Sequence, residues 1–192
     1  MLFTDSDAIP ESNWAYELSR IYALDKKIAI VGGKSFPKWL KKPRWYHKSN
    51  IVLELYSLVN LSEKVISTVK VVGVNFSLSK KRLGNLTTFK ENLGRKDGKL
   101  LGGEETDMCS KAKDKDLLVY FNPKAAVAHQ IPTERISFSW VIKRMYFGGY
   151  SRALRGGRPS TFHKKRNIWD RIILPILAIP YTLGYWKGKR SL

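Results

Sequence analysis

Apolar runs of strand length alternate along this chain with stretches of helical periodicity, and that alternation places it in the α/β class. Ile28, Ala29, Ile30 and Val31, closed by Gly32-Gly33, read as a buried strand ending in a turn. Residues 69–78 are β-branched and apolar, and shorter runs at 117–121 and 125–129 read as two more strands. Between these runs, residues 10–24 put Trp14, Leu18, Ile21 and Tyr22 on one helical face, with Ser12 as cap. Residues 50–61 carry the stripe Ile51, Leu55 and Val59. A helix opens at Glu104 after Gly102-Gly103, with Glu104 and Glu105 in its first turn, where the macrodipole favours acids. Residues 136–154 form a helix carrying Trp140, Arg144 and Phe147. Residues 36–47, with Pro37 and Pro43, read as a loop, and residues 80–94 as a turn-rich connection.

The chain is 192 residues long, 43% hydrophobic and 12% aromatic, which excludes a disordered tail. Its net charge of +19 calls for an anionic partner: nucleic acid, anionic lipid or a nucleotide-sugar diphosphate. No recognition helix or RNA-binding motif is present, and the basic residues do not gather on one aromatic platform, so nucleic acid is set aside. Cys109 is the single cysteine; no intrachain disulfide can form, and on a helix face it reads as a small buried apolar residue. The glycine pairs match neither a dinucleotide fingerprint nor a P-loop, and no Cys-His set has zinc spacing. Glu104 and Glu105, neighbours on a helix, point about 100° apart and cannot flank one glycosidic bond.

Asp5 and Asp7 follow the apolar residues Leu2 and Phe3, which read as the end of a buried strand. Carboxylates two apart can converge on one hard cation, since alternate strand residues share a face, with water and phosphate oxygens completing the shell. The alternative is a solvated turn or a helix cap. His129, at the end of an apolar run, is open to the same two readings, ligand or satisfied core histidine. No basic stretch followed by an apolar run begins the chain, so no signal peptide is expected. The start on a core strand leads us to expect a further segment on its N-terminal side.

Basic clusters at Lys41-Lys42-Arg44, Lys80-Lys81-Arg82, Lys164-Lys165-Arg166 and Lys187-Lys189-Arg190 read mostly as solvated surface. The last two flank residues 172–185, which carry no charge. That stretch is shorter than the roughly 20 residues needed to span a bilayer, and Pro175 and Pro180 are expected to break it. Trp169, Tyr181, Tyr185 and Trp186 sit at or near its ends, as interfacial anchors do. Two readings stand: a segment lying on the anionic inner face of the cell membrane, or a buried C-terminal hairpin. The division expected is a main domain over 1–155 and a basic, apolar tail over 156–192.

Several segments in order resemble family 2 glycosyltransferases. Phe3-Thr4-Asp5-Ser6-Asp7-Ala8, then Pro10, Trp14 and a helix, then Ala29-Ile30-Val31-Gly32-Gly33, is similar to that family's central region. Gly73-Val74-Asn75-Phe76-Ser77 resembles its small-x-Asn-Phe strand near the acceptor. Phe89-Lys90-Glu91-Asn92-Leu93-Gly94 resembles its Phe-Asp-Glu-x-Leu-Gly turn. Gly103-Glu104-Glu105-Thr106-Asp107-Met108-Cys109 resembles its Gly-Glu-Asp-Thr-Glu-Leu-Cys, which holds the general base. Val127-Ala128-His129 with Arg135, Trp140, Lys143-Arg144 and Gly148-Gly149-Tyr150-Ser151 resembles its closing His and basic-aromatic helix.

The resemblance implies the C-terminal half of a GT-A domain: a mixed sheet flanked by helices, followed here by an apolar helical segment. It implies inverting transfer from a nucleotide-diphosphate sugar to a hydroxyl acceptor such as a glycan or lipid-linked glycan, with Mn²⁺ or Mg²⁺. Asp7 becomes the main metal ligand, supported by Asp5 and reached by His129. Glu105 stands where the family usually has an Asp base, with Glu104 as the alternative. Asn75, Arg135, Trp140 and Arg144 fall at substrate-binding positions. The strands that hold the nucleotide have no counterpart here, so a separate N-terminal half is an expected partner, or else the chain is a remnant without activity.

Overall fold

Six strands form one sheet, in the order β1-β5-β3-β6-β2 with β4 also paired to β6. They are β1 (Leu2–Thr4), β2 (Ala8–Pro10), β3 (Ile28–Trp39), β4 (Ile66–Ser67), β5 (Asn75–Leu78) and β6 (Leu118–Ile131). The computed structural model describes residues 1–89, 93–94, 98–159 and 167–192. It divides into two compact units. One comprises Met1–Lys38, Ser57–Lys90 and Glu104–Gln130; the other comprises Trp39–Tyr56, Glu91–Gly103 and Ile131–Leu192.

In the first unit β1 pairs antiparallel with β5, β5 with β3, and β6 with both β2 and β4. The Leu118 N–H donates to Lys27 O, and further along both strands Gly33 faces Ala125 O, so β3 and β6 run in the same direction. The sheet is therefore mixed. Its two faces are covered by α1 (Trp14–Arg20) and α4 (Glu104–Lys113). Alternate strand residues project to opposite faces, and β6 shows it. Val119 joins the cluster containing Met108, Cys109 and Ala112 of α4, while Leu118 and Tyr120 pack on the cluster containing Leu18 of α1. Cys109 is buried, as expected of a small apolar residue on a helix face.

Several boundaries differ from the local reading. Pro10 ends β2, and α1 starts only at Trp14, with Asn13 rather than Ser12 at its N-cap and no side-chain cap bond. β3 does not stop at Gly32-Gly33 but runs to Trp39, bridged at Ser35 by mutual backbone bonds with Val59. The helix expected over 50–61 is α2 (Asn50–Glu54), because Ser57 turns to φ 58 and ends the helical run. The strand expected over 69–78 shortens to β5, since the Asn75 N–H closes a turn onto Val72 O. The runs at 117–121 and 125–129 are one strand, β6, despite Asn122-Pro123. β4 meets β6 at Tyr120 and Phe121, and β2 meets it at residues 127–129. Pro123 falls between those footprints, where neither strand draws a bond from it, and the Lys124 N–H turns onto Asn122 Oδ1 at 3.1 Å. Arg82, grouped with solvated surface, lies in the short helix α3 (Lys80–Leu83) and donates to the carbonyls of Asp25, Ile28 and Tyr22. Residues 90–92 of the Phe89–Gly94 motif lie outside the described residues, as do His163 and Lys164-Lys165-Arg166.

The second unit is helical. α5 (Phe138–Leu154) is capped by Ser137, whose Oγ accepts the Trp140 N–H at 3.3 Å. Residues 168–189 form one helix, α6 (Ile168–Lys189), which continues through Pro175 and Pro180 where a break was expected. Asn167 and Asp170 close a capping box at its start, and the Ser49 hydroxyl donates to Asp170 Oδ1 at 2.6 Å. Each proline removes one interior helical bond, and packing on α5 offsets the loss. A Cβ at Gly184 would collide with the Tyr146 carbonyl, and one at Gly149 with the Tyr181 carbonyl. The two backbones approach closely where those side chains are missing. Among the described residues, no helix is long and apolar enough to cross a membrane.

Candidate metal centre

Asp5 and Asp7 come together through a turn. β1 ends at Thr4 and β2 begins at Ala8, so Asp5-Ser6-Asp7 is the whole connection. The Ala8 N–H donates back to Asp5 O at 3.1 Å and closes it. Asp and Ser favour such turns because their short polar side chains satisfy local backbone groups. Strand alternation was the expected cause of convergence, and it is not the one at work.

β2 then carries the turn to β6. Ala8 lies opposite His129, and the Gln130 N–H donates to Asp7 O at 2.8 Å. His129 Nε2 lies 3.3 Å from Asp7 Oδ1. One ligand atom from each of Asp5, Asp7 and His129 falls within 4.8 Å of the others. His129 is buried, Asp7 half-buried and Asp5 exposed. The group thus opens from the sheet interior towards solvent, leaving a side for a ligand. Two carboxylate oxygens and one imidazole nitrogen suit a divalent ion that accepts both donor types, Mn²⁺ more readily than the oxygen-preferring Mg²⁺.

Glu104 and Glu105 occupy the first turn of α4, in the same unit. The Glu105 carboxylate carbon lies 4.0 Å from where a Cβ on Gly73 would stand. Val74, the next residue, accepts the Thr4 hydroxyl at 3.0 Å, and Thr4 precedes Asp5. Glu105 and the Asp5–Asp7 turn are thereby tied to the same end of the β1–β5 pair. Glu104 Oε2 is buried and has no hydrogen-bond partner among the described residues. Asp107, two residues after Glu105, is held by Lys111 at 2.8 Å.

Asn75 faces inward. It is fully buried, and its amide donates to Lys34 O and Ala125 O at 2.8 Å each while its Oδ1 accepts the Trp14 indole N–H at 2.8 Å. Gly33 makes this possible, because a Cβ there would collide with the Asn75 amide and the Ala125 carbonyl. Asn75 cross-links β5, β3, β6 and α1 and offers its side-chain groups to the frame, a role that its place in the motif did not disclose. Arg135, Trp140 and Arg144 belong to the second unit. Trp140 stacks on Tyr56 at 4.7 Å between centroids, the Tyr56 hydroxyl donates to Arg135 O at 2.8 Å, and Arg144 Nη1 donates to Leu100 O at 2.8 Å.

The sequence reading missed the polar knot beneath Trp140. His47 Nε2 lies 3.0 Å from the Tyr56 hydroxyl, and its Nδ1 accepts the Arg44 N–H at 3.0 Å. Burial pushes the His47 pKa down and those of Tyr56 and Tyr46 up. His47 sits in a basic loop with no local pattern that marks it for burial.

No protein-family model matches the chain. Over 155 residues it is 26% identical to a glucosyl-dolichyl phosphate glucuronosyltransferase of Haloferax volcanii, covering 77% of this chain and 48% of that protein. The chain thus spans about half the length of the curated relative it matches. The crystal structure of GalNAc-T7 with UDP, GalNAc and Mn²⁺ overlaps 81% of this chain and 34% of its own, with a TM-score of 0.47 and 14% identity.

Proposed function

We propose that this chain forms the metal- and acceptor-side part of a glycosyltransferase that moves a sugar from a nucleotide-diphosphate donor to a hydroxyl of a glycan or lipid-linked glycan. The observation that carries this reading is the convergence of Asp5, Asp7 and His129 at the β1–β2 turn. The similarity to a transferase acting on a dolichyl-phosphate-linked sugar supports the substrate class. Because the match covers about half of that relative, we assign the nucleotide pocket to a further segment that pairs with this one.

Asp7 and His129 are the principal metal ligands, and Asp5 completes the set. Bound there, Mn²⁺ or Mg²⁺ would neutralise the charge that develops on a leaving diphosphate. Glu105 is the acceptor base, with Glu104 beside it as the second candidate. The acceptor oxygen bonds to the anomeric carbon as the carbon–diphosphate bond breaks. The electron pair leaves with the diphosphate, and the acceptor proton passes to the Glu105 carboxylate. Attack from the face opposite the leaving group inverts the centre.

Two measurements test this. Calorimetric titration with Mn²⁺ should show saturable binding that Asp7→Asn weakens by roughly tenfold or more. In the chain joined to a nucleotide-binding half, release of nucleoside diphosphate from UDP-sugars should fall by roughly a hundredfold or more in Glu105→Gln, with Mn²⁺ binding retained. Unchanged turnover in both variants would sink the assignment.

A further inference from the structure

α6 carries two apolar faces, and among the described residues only one is covered. Ile173, Leu177, Tyr181, Gly184, Tyr185 and Gly188 are buried. Ile168, Ile172, Ile176, Ile179, Leu183 and Trp186 are large, apolar and exposed. Their spacing of three or four residues puts all six on one stripe. From Ile168 to Trp186 that stripe is about 27 Å long at the usual helical rise. A helix apolar all round belongs in a core or in lipid, yet among the described residues nothing encloses this face of α6 and no helix is long and apolar enough to cross a membrane.

Both ends of the stripe are basic and aromatic. Trp45 packs near Trp169 at 6.1 Å between centroids, and the Lys48 ammonium sits 4.8 Å over the Trp169 ring. Arg171 lies beside Ile172, and Lys187, Lys189 and Arg190 follow Trp186. An open groove of about 590 Å³ is lined by Tyr146, Leu183, Trp186, Lys187 and Arg190. Two cations around an indole, at the end of an apolar stripe, suit the phosphate of a lipid headgroup.

We propose that α6 lies in the plane of an anionic membrane surface, with the stripe from Ile168 to Trp186 set into the boundary between headgroups and acyl chains. Charge complementarity selects this occupant. The stripe is capped by cations at both ends in a chain of net charge +19, and an anionic leaflet attracts such cations individually. Interfacial helices pair an apolar face with flanking Lys, Arg and Trp in this way.

The test is flotation of the full chain with vesicles of equimolar phosphatidylglycerol and phosphatidylcholine, against vesicles of phosphatidylcholine alone. The chain should float with the anionic vesicles and stay behind with the neutral ones. The double variant Ile179→Glu with Leu183→Glu changes exposed positions, so circular dichroism should hold while the bound fraction falls by roughly tenfold or more. Lys187→Gln with Arg190→Gln leaves the apolar stripe whole and should weaken binding by about thirtyfold. Asp7→Asn should float like the unaltered chain, which separates this outcome from that of the metal reading. Equal flotation with both vesicle types, or flotation untouched by both double variants, overturns the proposal. So does a concentration-dependent dimer in sedimentation velocity that Ile179→Glu with Leu183→Glu abolishes while no flotation occurs; the stripe would then be an interface between copies.

Discussion

Asn75→Ala should be among the most damaging single substitutions in the sheet. The side chain is fully buried and makes three hydrogen bonds of 2.8 Å, to Lys34 O, to Ala125 O and from the Trp14 indole. Each bond contributes about 1 kcal/mol net, and each partner left buried without one costs about 1–3 kcal/mol. Lys34 and Trp14 are half-buried and recover some solvation; Ala125 is fully buried and does not. The sum is a loss of about 3–4 kcal/mol, a large share of the 5–15 kcal/mol typical of a domain. With a urea m-value of about 2 kcal/mol/M, the midpoint should fall by roughly 1.5–2 M.

Asn75→Asp keeps the shape but aims a carboxylate at two carbonyls. Those dipoles and burial raise its folded pKa above the ordinary 3.9 or so. A raised folded pKa means the penalty is absent below the unfolded pKa and grows as pH rises towards the folded one. Relative to the unaltered chain at each pH, Asn75→Asp should therefore cost less near pH 4 than near pH 7. Urea melts followed by tryptophan fluorescence read both effects. A loss under about 1 kcal/mol for Asn75→Ala, well below the bond sum, would refute the reasoning, as would an Asp variant indifferent to pH.

Three further outcomes are expected. Gly184→Val forces a side chain into the Tyr146 carbonyl, and should cost about 1–3 kcal/mol or splay α5 from α6, visible as a lower Tm and a loss of near-ultraviolet dichroism. Burial holds the His47 pKa below 6.5; its contribution is present above pH 6.5 and lost as pH falls through the folded value, with a slope of at most about 1.4 kcal/mol per pH unit, and His47→Gln should flatten that part of a Tm-against-pH curve. Burial pushes the Cys109 thiol up to about 12, so it should resist iodoacetamide in the folded chain and label fully in urea; rapid labelling of the native chain would contradict its place on the buried face of α4.

The α4 and α5 helices were legible in the sequence. Glu104 and Glu105 after Gly102-Gly103, and the spacing of Trp140 and Arg144, are local signals, and helix bonds are local too. The apolar runs marked where strands lie, and Asp5-Ser6-Asp7 showed two carboxylates at close spacing. Much of the rest was non-local. Pro123 reads as a break, yet β6 continues because β4 and β2 meet it on either side of that residue. Pro175 and Pro180 read as breaks, yet α6 continues because its glycines let it lie against α5. Asn75 sat in a motif and read as a ligand contact, and only the approach of β3, β6 and α1 fills its hydrogen-bonding capacity from within. His129 is 122 residues from Asp7, and no local rule could join them. The sequence by itself determined the element types and the chemistry on offer, because propensity and side-chain identity act within a few residues. The resemblance implied that two carboxylates and one imidazole share a site, but only the tertiary structure brings them together, and only it leaves one face of α6 uncovered among the described residues. Both follow from strand register and helix packing, which bring distant residues together.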